Sequence, residues 1–283
     1  MCAEQLTNGV SGDSTRSAKQ NVCDFWQGRP CGEIYASGRT RREQLEEHSR
    51  RRYKLEPYIQ AFARFEEGAG NDVLEIGTGM GADHLEWARH NPRCLFGIDI
   101  TTKAVELTKE KLHLFGFQPH VRVADAEDLP FEDATFDIVY SWGVLHHTPE
   151  TERAIREVRR VLRPGGRASI MIYHHPSLVG WMLWARYGLC AGKPLTPWTS
   201  IYGEKLESPG TKAYSVSAAK EMFRDFSRVT TITVLSPGDM LEGAAGQRHQ
   251  GPMLTVARHL WPRGFLRRYL SSYGLFLLLE ARA

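Results

Sequence analysis

With 283 residues, 42% hydrophobic and 24% charged, the chain has room for one α/β domain plus a cap, and the ordinary composition of a globular protein. A formal net charge of +3 is too small to argue for nucleic acid, and no apolar run reaches membrane-spanning length. Residues 1–20 are polar, Gly/Ser-rich and lack the apolar centre of a signal peptide, so they read as a disordered tail; Cys2, Cys23, Cys31, Cys94 and Cys190 show no metal-ligand spacing and suit a reduced cytoplasm.

Residues 21–70 mix aromatics with Arg and read as an N-terminal cap ending in one long helix over 43–65, kinked or divided at Pro57 and broken by Gly68, Gly70 and Asn71. From Asn71 strands alternate with amphipathic helices. Strands are expected at 73–76, 94–100, 120–124, 136–141 and 167–173, the last after the Arg163-Pro164-Gly165-Gly166 turn. Helices are expected at 81–90, 103–115 and 152–162. This alternation over 71–175 implies an α/β fold with a parallel, doubly wound sheet and a ligand crevice at the C-terminal strand ends.

The alternation stops at His174. Residues 176–210 are apolar and aromatic, are broken by Pro194 and Pro197, and read as an inserted lid. Residues 211–283 complete the sheet, with a helix at 217–226 capped by Ser217 and strands at 229–235 and 275–282. The amphipathic stretch 253–270 between those strands is read as a helix packed on the sheet in preference to one on a membrane surface. The run Arg50-Arg51-Arg52, interspersed with Glu43, Glu46 and Glu47, is read as a solvated helix face.

The strongest local signal is Leu74-Glu75-Ile76-Gly77-Thr78-Gly79-Met80-Gly81. Its small residues allow a sharp turn and close ligand approach, and the following helix offers free N–H groups. Asp99 closes the next strand, where a carboxylate can accept from ribose hydroxyls. Gly77, Gly79 and Ala82 also satisfy a looser dinucleotide pattern, so these residues alone leave NAD open.

Further along come Asp125-Ala126-Glu127-Asp128-Leu129-Pro130-Phe131 after the third strand, Trp142-Gly143-Val144-Leu145-His146-His147 after the fourth, and Val161-Leu162-Arg163-Pro164-Gly165-Gly166 before the fifth. With these four motifs in order, residues 71–173 resemble class I S-adenosylmethionine-dependent methyltransferases, in particular the bacterial branch that includes ubiquinone/menaquinone-type enzymes. The resemblance implies a Rossmann-like seven-stranded sheet with helices on both faces and S-adenosylmethionine as cofactor. It implies that Glu75 and the backbone of Gly77, Thr78, Gly79 and Gly81 hold the methionyl part. Asp99 would bind the ribose, Ile100 would lie against the adenine, and Asp125 and the Ala126 N–H would bond its edge. Ser141, beside Trp142, would meet the methionyl amino group.

Methyl transfer asks a protein to position its partners and to remove a proton from a hydroxyl or amine acceptor. His146 is the leading base candidate, weighed against a role in shaping the loop. A metal held by His146, His147, His174 and His175 is set aside, because adjacent imidazoles rarely both point inward and no carboxylate stands at a convincing spacing. Aromatics around the expected pocket are Phe25, Trp26, Tyr35, Tyr53, Trp142, Tyr173, Trp181, Trp184 and Trp198, most of them read as packing. The reading is a cytoplasmic methyltransferase acting on O or N, with C or S as the lesser alternatives, of a small, apolar or aromatic metabolite, with no nucleic-acid partner. Its alternatives are a cyclisation or elimination using the same cofactor, and a non-catalytic cofactor-binding regulator.

Overall fold

A computed structural model describes residues 13–28, 36–242 and 258–283. Residues 1–12 of the expected tail, Cys2, Cys31, Tyr35 and residues 253–257 of the amphipathic stretch lie outside them. Seven strands form one sheet: β1 (Asp72–Ile76), β2 (Cys94–Asp99), β3 (Val121–Val123), β4 (Phe136–Trp142), β5 (Leu162–Tyr173), β6 (Arg228–Val234) and β7 (Phe276–Arg282). Their order is β3-β2-β1-β4-β5-β7-β6. The first five are parallel; β7 runs antiparallel to both β5 and β6. The parallel arrangement expected over 71–175 thus holds for β1–β5, and beyond it β7 inserts antiparallel between β5 and β6. Strand order reverses between β1 and β4, so their C-terminal ends flank the switch point.

The helices are α1 (Asp13–Gly28), α2 (Arg41–Leu55), α3 (Tyr58–Ala63), α4 (Ala82–Arg89), α5 (Thr102–Leu114), α6 (Thr151–Val161), α7 (Leu178–Trp184), α8 (Trp198–Ile201), α9 (Val216–Met222) and α10 (Arg263–Tyr269). Side chains alternate across the sheet with period two. Leu74, Ile76, Val139 and Ile170 meet Ile155, Val158 and Phe223 of the α6/α9 side on one face. Val73, Ile138, Tyr140 and Met171 meet Ile59, Trp87 and Leu183 on the other. With both faces covered, all five residues of β1 are buried, the acidic Asp72 and Glu75 included. On α6, Ala154, Ile155, Val158 and Val161 form the buried stripe that ties it to the sheet.

The long cap helix divides at Pro57, as expected: α2 ends at Leu55 and Pro57 caps α3. A capping box between Thr40 and Glu43 starts α2. Ser215, not Ser217, caps α9, its hydroxyl accepting the Ala218 N–H at 3.1 Å, while Ser217 lies within the first turn. Arg163–Gly166 is drawn into β5 as an irregularity, where the register shifts between Phe136↔Leu162 and Ile138↔Arg167. Around α10 the expectation of a helix packed on the sheet is corrected: Leu266 is buried, but Leu260, Phe265 and Tyr269 face solvent. The segment is held instead by polar bonds, Trp261 Nε1 donating to Asp239 O at 2.9 Å and Arg263 Nε to Met240 O at 3.0 Å.

Candidate active site

The register places the expected cofactor residues at one sheet edge. Ile76 pairs with Ser141 of β4 and with Ile98 of β2, and Asp99 pairs with Val123 of β3. The Gly77 and Thr78 N–H groups both donate to Ile98 O, at 2.7 and 3.2 Å. Gly77 takes φ +83°, and a Cβ there would meet Val144 Cγ2 at 2.1 Å, so the turn has room only for glycine. Gly79 takes φ +53° with no neighbour within 4 Å of an added Cβ. This open backbone is the cradle a ligand can approach, and it fits the cofactor implied.

Asp99 Oδ2 accepts the Gly79 N–H at 3.1 Å, and Oδ1 accepts the Thr101 N–H and hydroxyl, each at 2.9 Å. Burial raises its carboxyl against the pull of these bonds. Glu75 Oε2 lies 2.9 Å from His84 Nδ1. Burial, aided by Asp83 and Asp99, holds the Glu75 carboxyl well above its usual range, and burial drives His84 down to about 3. Ser141 spends its hydroxyl on Ile76 O at 3.0 Å, locking β4 to β1. Asp125 and Ala126 follow β3, both buried.

Helix α1 covers this edge, which corrects the disordered tail from Asp13 onward. Lys19 Nζ lies 2.7 Å from Asp125 Oδ2 and 2.5 Å from Glu127 Oε2. The Cys23 thiol donates to Ile100 O at 3.6 Å, and the Gln27 side chain accepts the Lys103 N–H at 3.3 Å. The signal was the spacing of Lys19, Val22, Cys23 and Trp26, one face of a helix, hidden in a polar composition.

Beneath the cap, Arg52 makes a bidentate pair with Asp83 at 2.7 and 3.1 Å, and Tyr140 and Tyr53 donate to the same carboxylate at 2.8 and 3.0 Å. Arg52 thus leaves the solvated face assigned to it, whereas Arg51 stays there with Glu47 at 2.5 Å. Burial, with Asp83 and Glu207 adding, lifts Glu56 to about 7 against the pull of Arg52.

On the acceptor side His146 is fully buried, its ring 3.9 Å from that of Tyr173 and 4.1 Å from that of His147. Burial, then His147 and Lys212, drives it well below its ordinary pKa, so the imidazole is neutral near pH 7. His147 Nδ1 lies 2.9 Å from Ser208 Oγ and 3.1 Å from Thr211 Oγ1. Its Nε2 lies 3.5 Å from Glu207 Oε2, which accepts the Tyr173 hydroxyl at 2.6 Å. The sequence reading missed Glu207, Ser208 and Thr211. It also set the adjacent imidazoles apart, and the structure corrects that: both rings turn inward and a carboxylate joins them. His174 and His175 do not join; His174 Nδ1 bonds Gly274 O at 3.0 Å and His175 packs on Trp198.

Trp26 touches His147 at 5.3 Å, and Trp142 stacks on Tyr58 at 5.9 Å. Trp181, Trp184 and Trp198 of the inserted segment pack on one another at 4.9–6.1 Å. A cavity of about 590 Å³ lined by Glu67, Asp137, Arg163 and Arg167 lies at the opposite end of the strands and shares no residue with this site.

Residues 74–170 match the family model described as a methyltransferase domain. The chain is 38% identical over 104 residues to 27-O-demethylrifamycin SV methyltransferase of Amycolatopsis mediterranei, covering 36% of this chain and 38% of that one. It is 30% identical over 189 residues to the O-methyltransferase cnsE of Penicillium expansum, covering 65% and 66%. In its match to the rifamycin enzyme the chain thus spans about two fifths of the relative's length. Among solved structures, the [4+2]-cyclase SpnF superposes with a TM-score of 0.55 at 19% identity, covering 96% of this chain and 97% of that one, a likeness of fold. The chain therefore carries, over residues 74–170, a methyltransferase domain of the S-adenosylmethionine-dependent family on that family's seven-stranded fold.

Proposed function

We propose that the protein methylates an oxygen or nitrogen of a small, apolar or aromatic metabolite. The observation that carries this is the juxtaposition of the open Gly79 turn, bonded to Asp99, with His146 and His147 of the loop after β4, which Tyr173 of β5 and Glu207 of the inserted segment join. When bound, S-adenosylmethionine supplies a sulfonium methyl that a nucleophile displaces in line, the sulfur keeping the electron pair. Glu75, Gly77, Thr78, Gly79, Gly81, Ser141 and Trp142 would hold the methionyl part, Asp99 the ribose, and Ile100, Asp125 and Ala126 the adenine. His146, neutral and with both ring nitrogens unpartnered, is the candidate acceptor of the departing proton. The narrower placing among ubiquinone/menaquinone-type enzymes has no counterpart in the relatives described above. Residues 21–70 and 176–210 would act as cap and lid that exclude water. Among the described residues no helix is long and apolar enough to cross a membrane.

The test is incubation with S-adenosylmethionine and a panel of small aromatic and apolar alcohols, phenols and amines, read by mass spectrometry. The expected result is S-adenosylhomocysteine and methylated product in equal amounts. A rearranged substrate without S-adenosylhomocysteine would favour cyclisation. Tight cofactor binding with no turnover of any acceptor would favour a regulator.

A further inference from the structure

We propose that His146, His147 and Glu207 form a first-row transition-metal site, two imidazoles and one carboxylate with an open position toward the acceptor. One ligand atom from each lies within 4.8 Å of the other two. The two histidines come from the loop after β4, while Glu207 follows the turn Tyr202–Leu206 at the end of the inserted segment, so only the fold assembles the set.

The hydrogen-bond inventory points to a cation. Thr211 Oγ1 donates its single proton to Ser208 O at 2.7 Å, so toward His147 it acts as an acceptor, 3.1 Å from Nδ1. Ser208 Oγ stands nearer, 2.9 Å from Nδ1, and holds that side of the ring, while the buried Nε2 has no hydrogen-bond partner and is turned toward Glu207 Oε2, 3.5 Å away. A cation seated in that gap would take the Nε2 lone pair and the Glu207 charge together. His146 adds a second unmatched imidazole: neither of its ring nitrogens has a partner, although the residue is fully buried.

The supports are of the kind metal ligands use. Thr211 and Ser208 orient His147, and the Tyr173 hydroxyl, 2.6 Å from Oε2, orients Glu207. Imidazole and carboxylate together suit Zn²⁺, Co²⁺ or Fe²⁺ better than Mg²⁺ or Ca²⁺. The Glu207 side chain is 36% exposed, which leaves the ion reachable from outside. The consequence, though not the site, rests on the methyl-transfer reading: an acceptor hydroxyl on the open position would lose its proton to water more readily, His146 acting as ligand in place of base.

The test is titration of chelator-treated full-length protein with Co²⁺ alone. The expected result is a visible absorption band of low-symmetry cobalt that saturates at one ion per chain. Glu207→Gln, at a partly exposed position that spares the fold, should weaken binding at least about tenfold, and His147→Ala should do the same. Replacing the exposed Cys94 and Cys190 by Ser should change nothing. No cobalt bound by the wild type, unchanged affinity in Glu207→Gln, or loss of the band on removing those thiols would overturn the proposal. Calorimetry with S-adenosylhomocysteine on the same sample separates the two readings: cofactor bound without cobalt defeats the metal site alone.

Discussion

The Lys19 ammonium lies 2.7 Å from Asp125 Oδ2, on the carboxylate expected to meet the adenine amino group. The other oxygen of Asp125 accepts the Glu127 N–H at 2.9 Å, so neither is free. Lys19 must yield or share when adenine arrives. Lys19→Met should therefore tighten S-adenosylhomocysteine binding by roughly 1 kcal/mol, about fivefold, measured by calorimetry. Weaker binding would mean that Lys19 helps to hold the cofactor.

Two glycines of the turn should fail in different ways. Gly77→Ala places a Cβ 2.1 Å from Val144 Cγ2 at φ +83° and should cost about 2–4 kcal/mol of stability by urea denaturation. Gly79→Ala, at φ +53° with open space around the new methyl, should cost only about 1–2 kcal/mol. Yet Gly79→Ala should weaken S-adenosylhomocysteine binding strongly. Wild-type affinity in that variant would remove Gly79 from the ligand cradle.

Asp99 serves both fold and ligand. Its carboxylate accepts three bonds that join the Gly-rich turn to the end of β2, so it is not the dispensable strand-end group that position alone suggests. Asp99→Ala should lose about 1–3 kcal/mol in stability and a similar amount in cofactor affinity. An unchanged dissociation constant in the folded variant would separate Asp99 from the cofactor.

At the opposite end of the strands, Asp72 accepts from Arg93 at 2.6 and 2.8 Å and from Arg163 at 2.7 Å, and these bonds hold its carboxyl down at about 2. Unfolded, it titrates near about 3.9. Because the folded value is the lower one, the stabilisation is present above about pH 4 and is lost as pH falls toward 2. Both arginines are partly exposed, so Asp72→Asn should cost only about 1 kcal/mol at pH 7. Urea midpoints of the two proteins should converge between pH 4 and pH 2; a constant difference would rule out the charged pairs as its source.

What could be read from the chain follows from which signals are local. The strands around Leu74, Phe96 and Val139 are short apolar runs bounded by turns, and the Gly77–Gly79 turn announces itself by residue type. The direction of β7 left no local mark, since antiparallel insertion beside β5 depends on the path between β6 and β7. Helix α1 was obscured because its buried face is small, Val22 and Cys23, while much of its grip is polar, the ion pair of Lys19 and the bond from Lys103 N–H to Gln27. Glu207 could not be joined to His147 in advance, because the inserted segment folds back through α7, α8 and two wide helical turns before bringing it there.

The most direct test of the cofactor assignment, on which the whole reading stands, is calorimetric titration of the full chain with S-adenosylhomocysteine and, separately, with NAD. One S-adenosylhomocysteine should bind per chain, more weakly in Asp99→Ala and Gly79→Ala, with no heat from NAD. Saturable heat from NAD and none from S-adenosylhomocysteine would contradict it.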